Sequence, residues 1–262
     1  GDYIPEFEDT EHKHITIRHL LSMSSGLDWH ESKGNPLSHN AEAYFGSNLN
    51  ELMLGIKVEK KPGETFEYKS GNTQVLAMIL ENVLDESISA YASNKIWSKI
   101  GTEKNAIWNL DHENGSEKAY CCLYATTRDY AKIGKLMIQN GRWKDEQIIS
   151  SRFIHTITSP ANLKEMSGKP NDRYGLHWWL YPGERNPVYY ARGILGQYII
   201  CIPEEKIVIV RTGNKREPLY EIPENEEIPT FMEQLEGHPQ DLRLYTNLAF
   251  LLDSQLKFAS KP

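Results

Sequence analysis

The stretch "PGETFEYKSGNTQVLAMILE", Pro62 to Glu81, decides how the rest of the chain is interpreted. From Val75 onward, apolar residues recur every three or four positions, and this spacing predicts an amphipathic helix. A Pro-Gly pair and a polar cluster, Tyr-Lys-Ser-Gly-Asn-Thr, come directly before that helix. The cluster therefore forms the turn that enters the helix, and its side chains either cap the helix or belong to an active site.

The structural alternative gives each polar residue of this turn an ordinary task. Tyr68 would pack beside the helix, and Ser70, Asn72 or Thr73 would accept hydrogen bonds from the first helical N–H groups, which have no partner inside the helix. Lys69 would extend into solvent, as most lysine side chains do.

The composition bounds the class of protein. With 262 residues, of which 39% are hydrophobic, the chain can bury a sizeable core as one large domain or two close lobes. Its net charge of -7 and the lack of a long Lys/Arg run argue against nucleic acid as a partner. Apolar runs such as "IVIV" are far shorter than the roughly 20 residues that cross a bilayer, so no membrane span is predicted.

The three cysteines, Cys121, Cys122 and Cys201, do not form a disulfide framework. A bridge between the adjacent Cys121 and Cys122 would be strained, and no Cys-x-x-Cys occurs. We therefore expect small buried hydrophobic side chains at all three positions.

The first part of the chain is predicted to be mainly helical. The segments "ITIRHLL", "NLNELMLGI", "SISAYASNKIWSKIG" and "TTRDYAKIGKLMIQNG" show helical spacing, and Gly26, Gly101 and Gly141 mark turns after three of them.

After about residue 160 the spacing of the apolar residues changes from helical to strand-like. Three β-rich runs, "NPVYYARG", "GQYIICIP" and "KIVIVRTG", predict an antiparallel meander. An exposed loop is expected from Lys215 to Pro229, and helical spacing resumes from Phe231 to Phe258. The expected division is a helical lobe over 1–170 and a sheet lobe over 171–262.

Single-stretch catalytic motifs are absent. The chain has no Gly-x-Ser-x-Gly elbow, no His-Glu-x-x-His and no phosphate-binding Gly-rich loop. His12, His14 and His19 lie close in sequence but lack Cys or carboxylate partners at ligand spacing, so no metal site is predicted.

Taken with its context, the Pro62 to Glu81 stretch resembles the serine β-lactamase and penicillin-binding-protein-like family, in its class C and esterase branch. The family pattern is Pro-Gly, a Tyr-x-Asn motif, and a helix that closes on a glutamate; this chain matches it with Pro62-Gly63, Tyr68, Leu76 and Glu81, and has Ser70 in place of the asparagine. Further similarity lies in "IRHLLSMSSGLDW", "ATTRDYAKIGKLMIQNG", "YGLHWWL" and "ARGILGQYIICIPEEKIVIV", so that it covers residues 15–212. The details around Gly193 and Gly196-Gln197 are most similar to 6-aminohexanoate-dimer hydrolases and related carboxylesterases.

This resemblance implies an α/β fold, with an antiparallel sheet flanked by helices, a helical lobe, and the active site in the cleft between them. It also implies a serine hydrolase that cleaves a small-molecule ester, amide or β-lactam through an acyl-enzyme, without cofactor or metal. A periplasmic or extracellular location is expected on the same ground. Two alternatives stay open: a D-Ala-D-Ala peptidase, and a non-catalytic binding or sensing member of the fold.

By resemblance, Tyr68 is the tyrosine that carries the proton to the leaving group. A phenol with a pKa of about 10 needs a neighbouring ammonium to act as a base at neutral pH. Ser70 stands where the family usually has asparagine, as a catalytic hydrogen-bonding side chain. A competing register makes Ser70-Gly71-Asn72 a Ser-x-Asn motif, with Asn72 as a substrate contact.

On the strand side, Ala191-Arg192-Gly193 takes the place of the family's Lys-Thr-Gly or His-x-Gly. Gly193 would let a substrate lie against the strand, and the Ile194 amide would form half of an oxyanion hole. The alternative for Gly193 and Gly196 is a bulge or turn. Ala191, Trp178 and Tyr174 are the remaining predicted substrate contacts, although such aromatic residues are more often part of a core.

The family's nucleophilic Ser-x-x-Lys precedes the "HLL...SGL" segment by several tens of residues, and here that segment begins at Thr16. The sole Ser-x-x-Lys, Ser254 to Lys257, comes after the other motifs and is in the wrong order. We therefore expect that the N-terminal part of the family fold is missing from this chain. The chain would then hold the base and the oxyanion strand, would be inactive alone, and would need the missing segment of the same protein as its partner.

Overall fold

A computed structural model describes residues 1–31, 35–181, 187–214 and 240–259 of the chain. Its regular elements, numbered in chain order, are the α-helices and β-strands that follow. The helices are α1 (Ile17–Leu21), α2 (His39–Phe45), α3 (Leu49–Gly55), α4 (Gly71–Val83), α5 (Ile88–Ala92), α6 (Thr127–Ile138), α7 (Ser151–Ile157) and α8 (Gln240–Ala259). The strands are β1 (Ile107–Trp108), β2 (Leu123–Tyr124), β3 (Arg142–Trp143), β4 (Glu146–Gln147), β5 (Trp179–Tyr181), β6 (Val188–Gly193), β7 (Gln197–Ile202) and β8 (Ile207–Arg211).

The chain clusters into two compact units. Unit 1 comprises Gly1–Thr126 and Pro160–Asn171, and unit 2 comprises Thr127–Ser159 and Asp172–Pro262. Residues 160–171 belong to unit 1 because this segment pairs with the residues just before α4: the Phe66 amide donates to the Lys164 carbonyl at 2.8 Å.

Unit 1 is built from short helices around one apolar cluster. α1, α3 and α4 each contribute fully or nearly fully buried side chains to it, among them Leu20, Met53 and Met78. Thr16 caps α1 through its side chain, and Asn48 caps α3 in the same way. These helices confirm the predictions from apolar spacing, because one face of each helix is apolar and packs inward.

Short two-stranded ribbons interrupt the helical part of the chain. β1 pairs with β2, and β3 pairs with β4, both antiparallel. Each strand is only two residues long, too short to show the alternation by which strands are recognised in a sequence. The glycine turns were predicted correctly, since Gly26, Gly101 and Gly141 all have positive φ.

Unit 2 contains a four-stranded antiparallel sheet in the order β5-β6-β7-β8, so the predicted meander is confirmed and β5 is an additional strand. Helices flank this sheet. On one face Cys201 and Ile199 of β7 meet Gly134 of α6, and on the other Tyr198 packs 6.2 Å from the ring of Tyr245 of α8. Neighbouring strand residues point to opposite faces, which explains how one strand serves both helices.

Some sequence predictions lie outside the described residues. These are the loop from Lys215 to Pro229 and the start of the last predicted helix, Phe231 to Pro239. Within the described ranges, no helix has the length and apolar character that a bilayer crossing requires.

The prediction for the adjacent cysteines was wrong. Cys121 and Cys122 are half-buried and joined as a disulfide, whereas Cys201 is buried and free, as expected. Cys122 has a φ of 68°, a left-handed conformation that is uncommon for a residue with a side chain. The sequence does not indicate that Cys122 adopts this backbone conformation. The sequence alone therefore could not show whether the two adjacent cysteines are bridged or free.

Candidate active site

The turn that enters α4, residues Tyr68–Asn72, lies along the segment Ser25–Glu31 of unit 1. We call these two stretches the entry turn and the anchor segment. Ser25 donates its hydroxyl hydrogen bond to the Asn72 amide oxygen, and Ser70 donates its backbone N–H to the Glu31 carboxylate. The Lys69 ammonium donates to the Leu27 carbonyl at 2.5 Å. Three successive contacts, each through a side chain, therefore hold the entry turn in place.

Lys69 does not extend into solvent, so that prediction was wrong. Its side chain is only 6% exposed, and its ammonium lies 3.3 Å from Glu67 Oε2 in addition to the contact with Leu27. A buried ammonium is tolerated because a carbonyl and a carboxylate replace its water. Burial favours the neutral form of Glu67, yet its contacts with Lys60 and Lys69 outweigh burial and hold the pKa of Glu67 below its usual value.

Ser70 does not cap α4, which excludes the structural alternative for this residue. Its side chain makes no capping hydrogen bond, and its backbone is already helical at φ -61° and ψ -25°. The Ser70 hydroxyl is buried and has no hydrogen-bond partner among the described residues. A buried polar group without a partner is rare, and a bound ligand is one explanation for it.

Asn72 does not act as a cap either. It is fully buried; its amide oxygen accepts from Ser25 and its amide nitrogen lies 3.3 Å from Met23 Sδ. Asn72 thus ties α4 to the anchor segment, while its predicted contact with substrate stays a prediction. Tyr68 is half-buried at the start of the entry turn, and its catalytic role likewise stays a prediction.

Trp29 and Glu31 support this site, and their role could not be identified from the sequence. The Trp29 indole donates to Glu31 Oε1 at 2.9 Å, and that same oxygen accepts the Ser70 amide. A Cβ atom on Gly71 would lie only 2.5 Å from the Trp29 ring, so the indole packs directly on the helix backbone. The family-like "SSGLDW" segment was recognised, but no motif links it to the entry turn.

Tyr120 is a third residue of this region that could not be identified from the sequence. Its ring lies 6.3 Å from that of Trp29, and its buried hydroxyl has no partner in the part of the chain that the structure describes. Burial raises the pKa of the phenol well above its usual value, so it stays protonated. The backbone before it is held by Gln74, which accepts from the Ala119 amide at 2.9 Å.

The predicted oxyanion residues lie at one end of the sheet in unit 2. Gly193 is the last residue of β6 and pairs with Gln197, while Ile194 lies in the tight turn between β6 and β7. Leu195 and Gly196 adopt φ values of 60° and 82°, which confirms the turn. The Gln197 side chain accepts from the Gly213 amide at 2.9 Å and also donates to its carbonyl, so the segment that follows β8 anchors this turn.

The aromatic residues that were predicted to contact substrate differ in exposure. Tyr174 is 2% exposed and packs edge-on against Trp179, so it is a core residue of unit 2. Trp178 is half-buried against Tyr189. Arg192 stacks its guanidinium 3.8 Å from the Trp179 ring, which is a cation–π contact. The guanidinium is therefore held at the Trp179 ring.

His177 is unusual in its backbone and its side chain. It has a φ of 61°, and its Nε2 atom is buried without a partner among the described residues. Burial lowers the pKa of this imidazole to about 4, so it is neutral at physiological pH. Conformations of this kind are concentrated at functional sites, which marks His177 as a further candidate.

Taken separately, each unit carries groups of a type that has a chemical use. Unit 1 holds a tyrosine on a rigid turn, which suits proton transfer. Unit 2 holds a tight turn between two strands, whose backbone amides suit the stabilisation of an oxyanion. Among the described residues, no group of three or more His, Cys, Asp or Glu side chains is arranged to hold a metal ion.

Comparison with known proteins identifies relatives. A family model described as Beta-lactamase matches residues 1–228. The 6-aminohexanoate-dimer hydrolase of Paenarthrobacter ureafaciens is 24% identical over 234 residues, which are 83% of this chain and 59% of that protein. Protein flp of Staphylococcus aureus strain NCTC 8325 / PS 47 is 32% identical over 276 residues, covering 96% of this chain and 52% of that protein.

Solved structures agree with these matches. A Bacillus anthracis protein described as a 6-aminohexanoate-dimer hydrolase superposes with a TM-score of 0.78 at 25% identity, covering 97% of this chain and 65% of that one. A family VIII carboxylesterase, at 17% identity and a TM-score of 0.62, shows the fold alone. The predicted resemblance and the predicted α/β fold are thereby confirmed, and the chain spans 52% to 59% of the length of these two curated relatives.

Proposed function

We propose, starting from the fact that the chain belongs to the Beta-lactamase family, that the natural protein is a serine hydrolase acting on small molecules. It cleaves an ester, amide or β-lactam bond through an acyl-enzyme. The observation that carries this proposal is the entry turn, where hydrogen bonds tie Lys69, Ser70 and Asn72 to the anchor segment and so fix the backbone directly after Tyr68. Fixed placement of an acid–base group is what proton transfer requires.

In the proposed mechanism, Tyr68 moves the protons and the Ile194 amide stabilises charge. The attacking serine loses its hydroxyl proton to the Tyr68 phenolate as its oxygen bonds to the acyl carbon, and the carbonyl oxygen becomes an oxyanion bound by the Ile194 N–H. Tyr68 then gives that proton to the leaving oxygen or nitrogen as its bond to the acyl carbon breaks. A water molecule repeats the sequence, releasing the acid and returning the proton to the serine.

The attacking serine is proposed to come from a part of the natural protein outside these 262 residues. Two facts support this: the sole Ser-x-x-Lys of the chain follows the other motifs, and the curated relatives are longer than the part that matches. Tyr68 and the Ile194 amide can assist acyl transfer but cannot replace a positioned nucleophile.

A fluorophosphonate probe tests this proposal. We expect the full-length natural protein to be labelled to near one probe per chain, and the 262-residue chain alone to remain unlabelled. Mass spectrometry of the labelled peptide then identifies the serine. Stoichiometric labelling of the 262-residue chain, or no labelling and no ester hydrolysis by the full-length protein, would contradict the proposal; the latter result would favour a binding or sensing protein.

A preference for esters over β-lactams is expected from Ala191. Family members that hydrolyse β-lactams well carry a cation or imidazole at the corresponding position, and such a charge-assisted contact contributes about 1.5–3 kcal/mol, or roughly tenfold to a hundredfold in binding. Alanine lacks that group, and Arg192 is engaged with the Trp179 ring. The kcat/KM values for p-nitrophenyl acetate and butyrate should therefore exceed those for nitrocefin and benzylpenicillin. Faster turnover of either β-lactam would show that Ala191 does not set the preference.

The proposed location is the periplasm or the extracellular space. The Cys121–Cys122 disulfide supports it, because disulfides persist mainly in oxidising compartments.

A D-Ala-D-Ala peptidase is the alternative within the class of enzymes. Release of D-alanine from a D-Ala-D-Ala peptide by the full-length protein, at a rate above that of ester hydrolysis, would favour this alternative.

A further inference from the structure

We propose that Glu31 is a positioning residue for Tyr68, an inference that rests on the proposed function. A single carboxylate oxygen, Oε1, accepts both the Ser70 amide and the Trp29 indole N–H, the latter at 2.9 Å. Glu31 thereby joins the anchor segment to the backbone two residues after Tyr68.

The Ser70 amide needs an acceptor from outside the helix. Because Ser70 already has helical φ and ψ angles, its N–H belongs to the first turn of α4, where no preceding carbonyl is available to accept it. The Ser70 side chain makes no capping hydrogen bond to the amides that follow it, so it does not stabilise this turn either. The N-terminal end of a helix carries partial positive charge, so a carboxylate is the acceptor that stabilises this turn most strongly.

Glu31 is itself held in place, which is what a positioning residue requires. The Trp29 indole that donates to it is 3% exposed and packs on the backbone of Gly71. The carboxylate is therefore fixed against the same helix whose first turn it binds. A group held by such supporting contacts can keep a catalytic side chain within the narrow range that proton transfer tolerates.

Glu31 and Lys69 act on consecutive residues of the entry turn. The Lys69 ammonium attaches the turn to the Leu27 carbonyl, and Glu31 attaches the next amide to the far end of the anchor segment. With both contacts present, the backbone after Tyr68 is fixed at two adjacent points. Removal of Glu31 frees the second point while it leaves the first intact.

The test compares Glu31→Ala with Glu31→Gln in the full-length protein. We expect Glu31→Ala to lower kcat for p-nitrophenyl butyrate by about 10- to 100-fold with KM within about threefold, because misplacement of a catalytic group acts on turnover. Glu31→Gln keeps an oxygen that can accept both N–H groups and should stay within about threefold of the parent protein. Turnover is expressed per fluorophosphonate-labelled site, so that loss of folded protein does not count as loss of rate.

The matched control is Glu51→Ala, which removes a carboxylate from the first turn of α3 that accepts from the Asn48 side chain. We expect no change in kcat from that variant. Unchanged turnover in Glu31→Ala, equal losses in the Gln and Ala variants, or an equal loss in the control would each overturn the proposal.

Amide hydrogen exchange provides a readout that does not need activity. Glu31→Ala should speed exchange of the Ser70 amide at least about tenfold, while Glu31→Gln keeps it protected. If the protein hydrolyses no ester yet exchange responds in this way, the proposed function fails while the anchoring by Glu31 stands. If Ser70 exchanges equally in all variants, the positioning role is excluded whatever the enzyme does.

Discussion

Replacement of Tyr68 by phenylalanine is expected to lower kcat of the full-length protein about a hundredfold or more, since positioned acid–base groups contribute roughly 10²–10⁴-fold to catalysis. Only the phenolic oxygen is removed, so the ring keeps its half-buried place in the entry turn. The substitution should therefore change the melting temperature by no more than a few degrees. Ester hydrolysis by the purified variant and its thermal unfolding are the two measurements.

Tyr124→Phe is the matched control for this experiment. Tyr124 lies on β2 of the same unit with 54% of its surface exposed, and it undergoes the same chemical change. Full activity is expected from it. If Tyr68→Phe also retained more than half of the parent turnover, Tyr68 would be a packing residue and the acid–base assignment would be wrong.

Gly71→Ala is expected to destabilise the protein strongly. The added methyl group would lie 2.5 Å from a carbon of the Trp29 ring, so the indole must move. Overpacking of this kind costs about 1–3 kcal/mol, and loss of the hydrogen bond from Trp29 to Glu31 adds about 1 kcal/mol. We expect a fall of about 2–4 kcal/mol in the free energy of unfolding, together with reduced turnover, measured by urea denaturation and ester hydrolysis.

Gly55→Ala is a control of the same chemistry at the end of α3. A Cβ atom at Gly55 would meet nothing within 4 Å, and alanine has the higher helix propensity. The control should be neutral or stabilising by up to about 1 kcal/mol. Equal stability of the two variants would mean that Trp29 tolerates the added methyl group. The close packing of Trp29 on Gly71 would then not contribute to stability as predicted.

The sequence predicted helices and strands correctly where a repeating pattern of apolar residues extended over several helical turns or over a whole strand. Apolar spacing located α3, α4 and α6, and alternating or β-branched runs located β6, β7 and β8. The two-residue strands β1 to β4 carry no such period. The family could be recognised because its motifs are spread along most of the chain.

The contacts that support the site could not be predicted in the same way. Lys69 and Leu27 are 42 positions apart, and Ser70 and Glu31 are 39 apart, so no local spacing connects them. A lysine in a turn is normally solvent-exposed, and only the fold supplies the carbonyl and carboxylate that make its burial acceptable. The roles of Tyr68, Ser70 and Ile194 rest on resemblance and stay predictions.

The anchoring of the entry turn has a consequence for how related sequences diverge. Leu27 receives the Lys69 ammonium through its backbone carbonyl, so the side chain at position 27 can vary without loss of that contact. Ser25 and Asn72, in contrast, meet through their side chains, as does Glu31 with the Trp29 indole. Among homologues, positions 25 and 72 should therefore change together, as should 29 and 31, whereas position 27 should drift independently of position 69 within the apolar residue types.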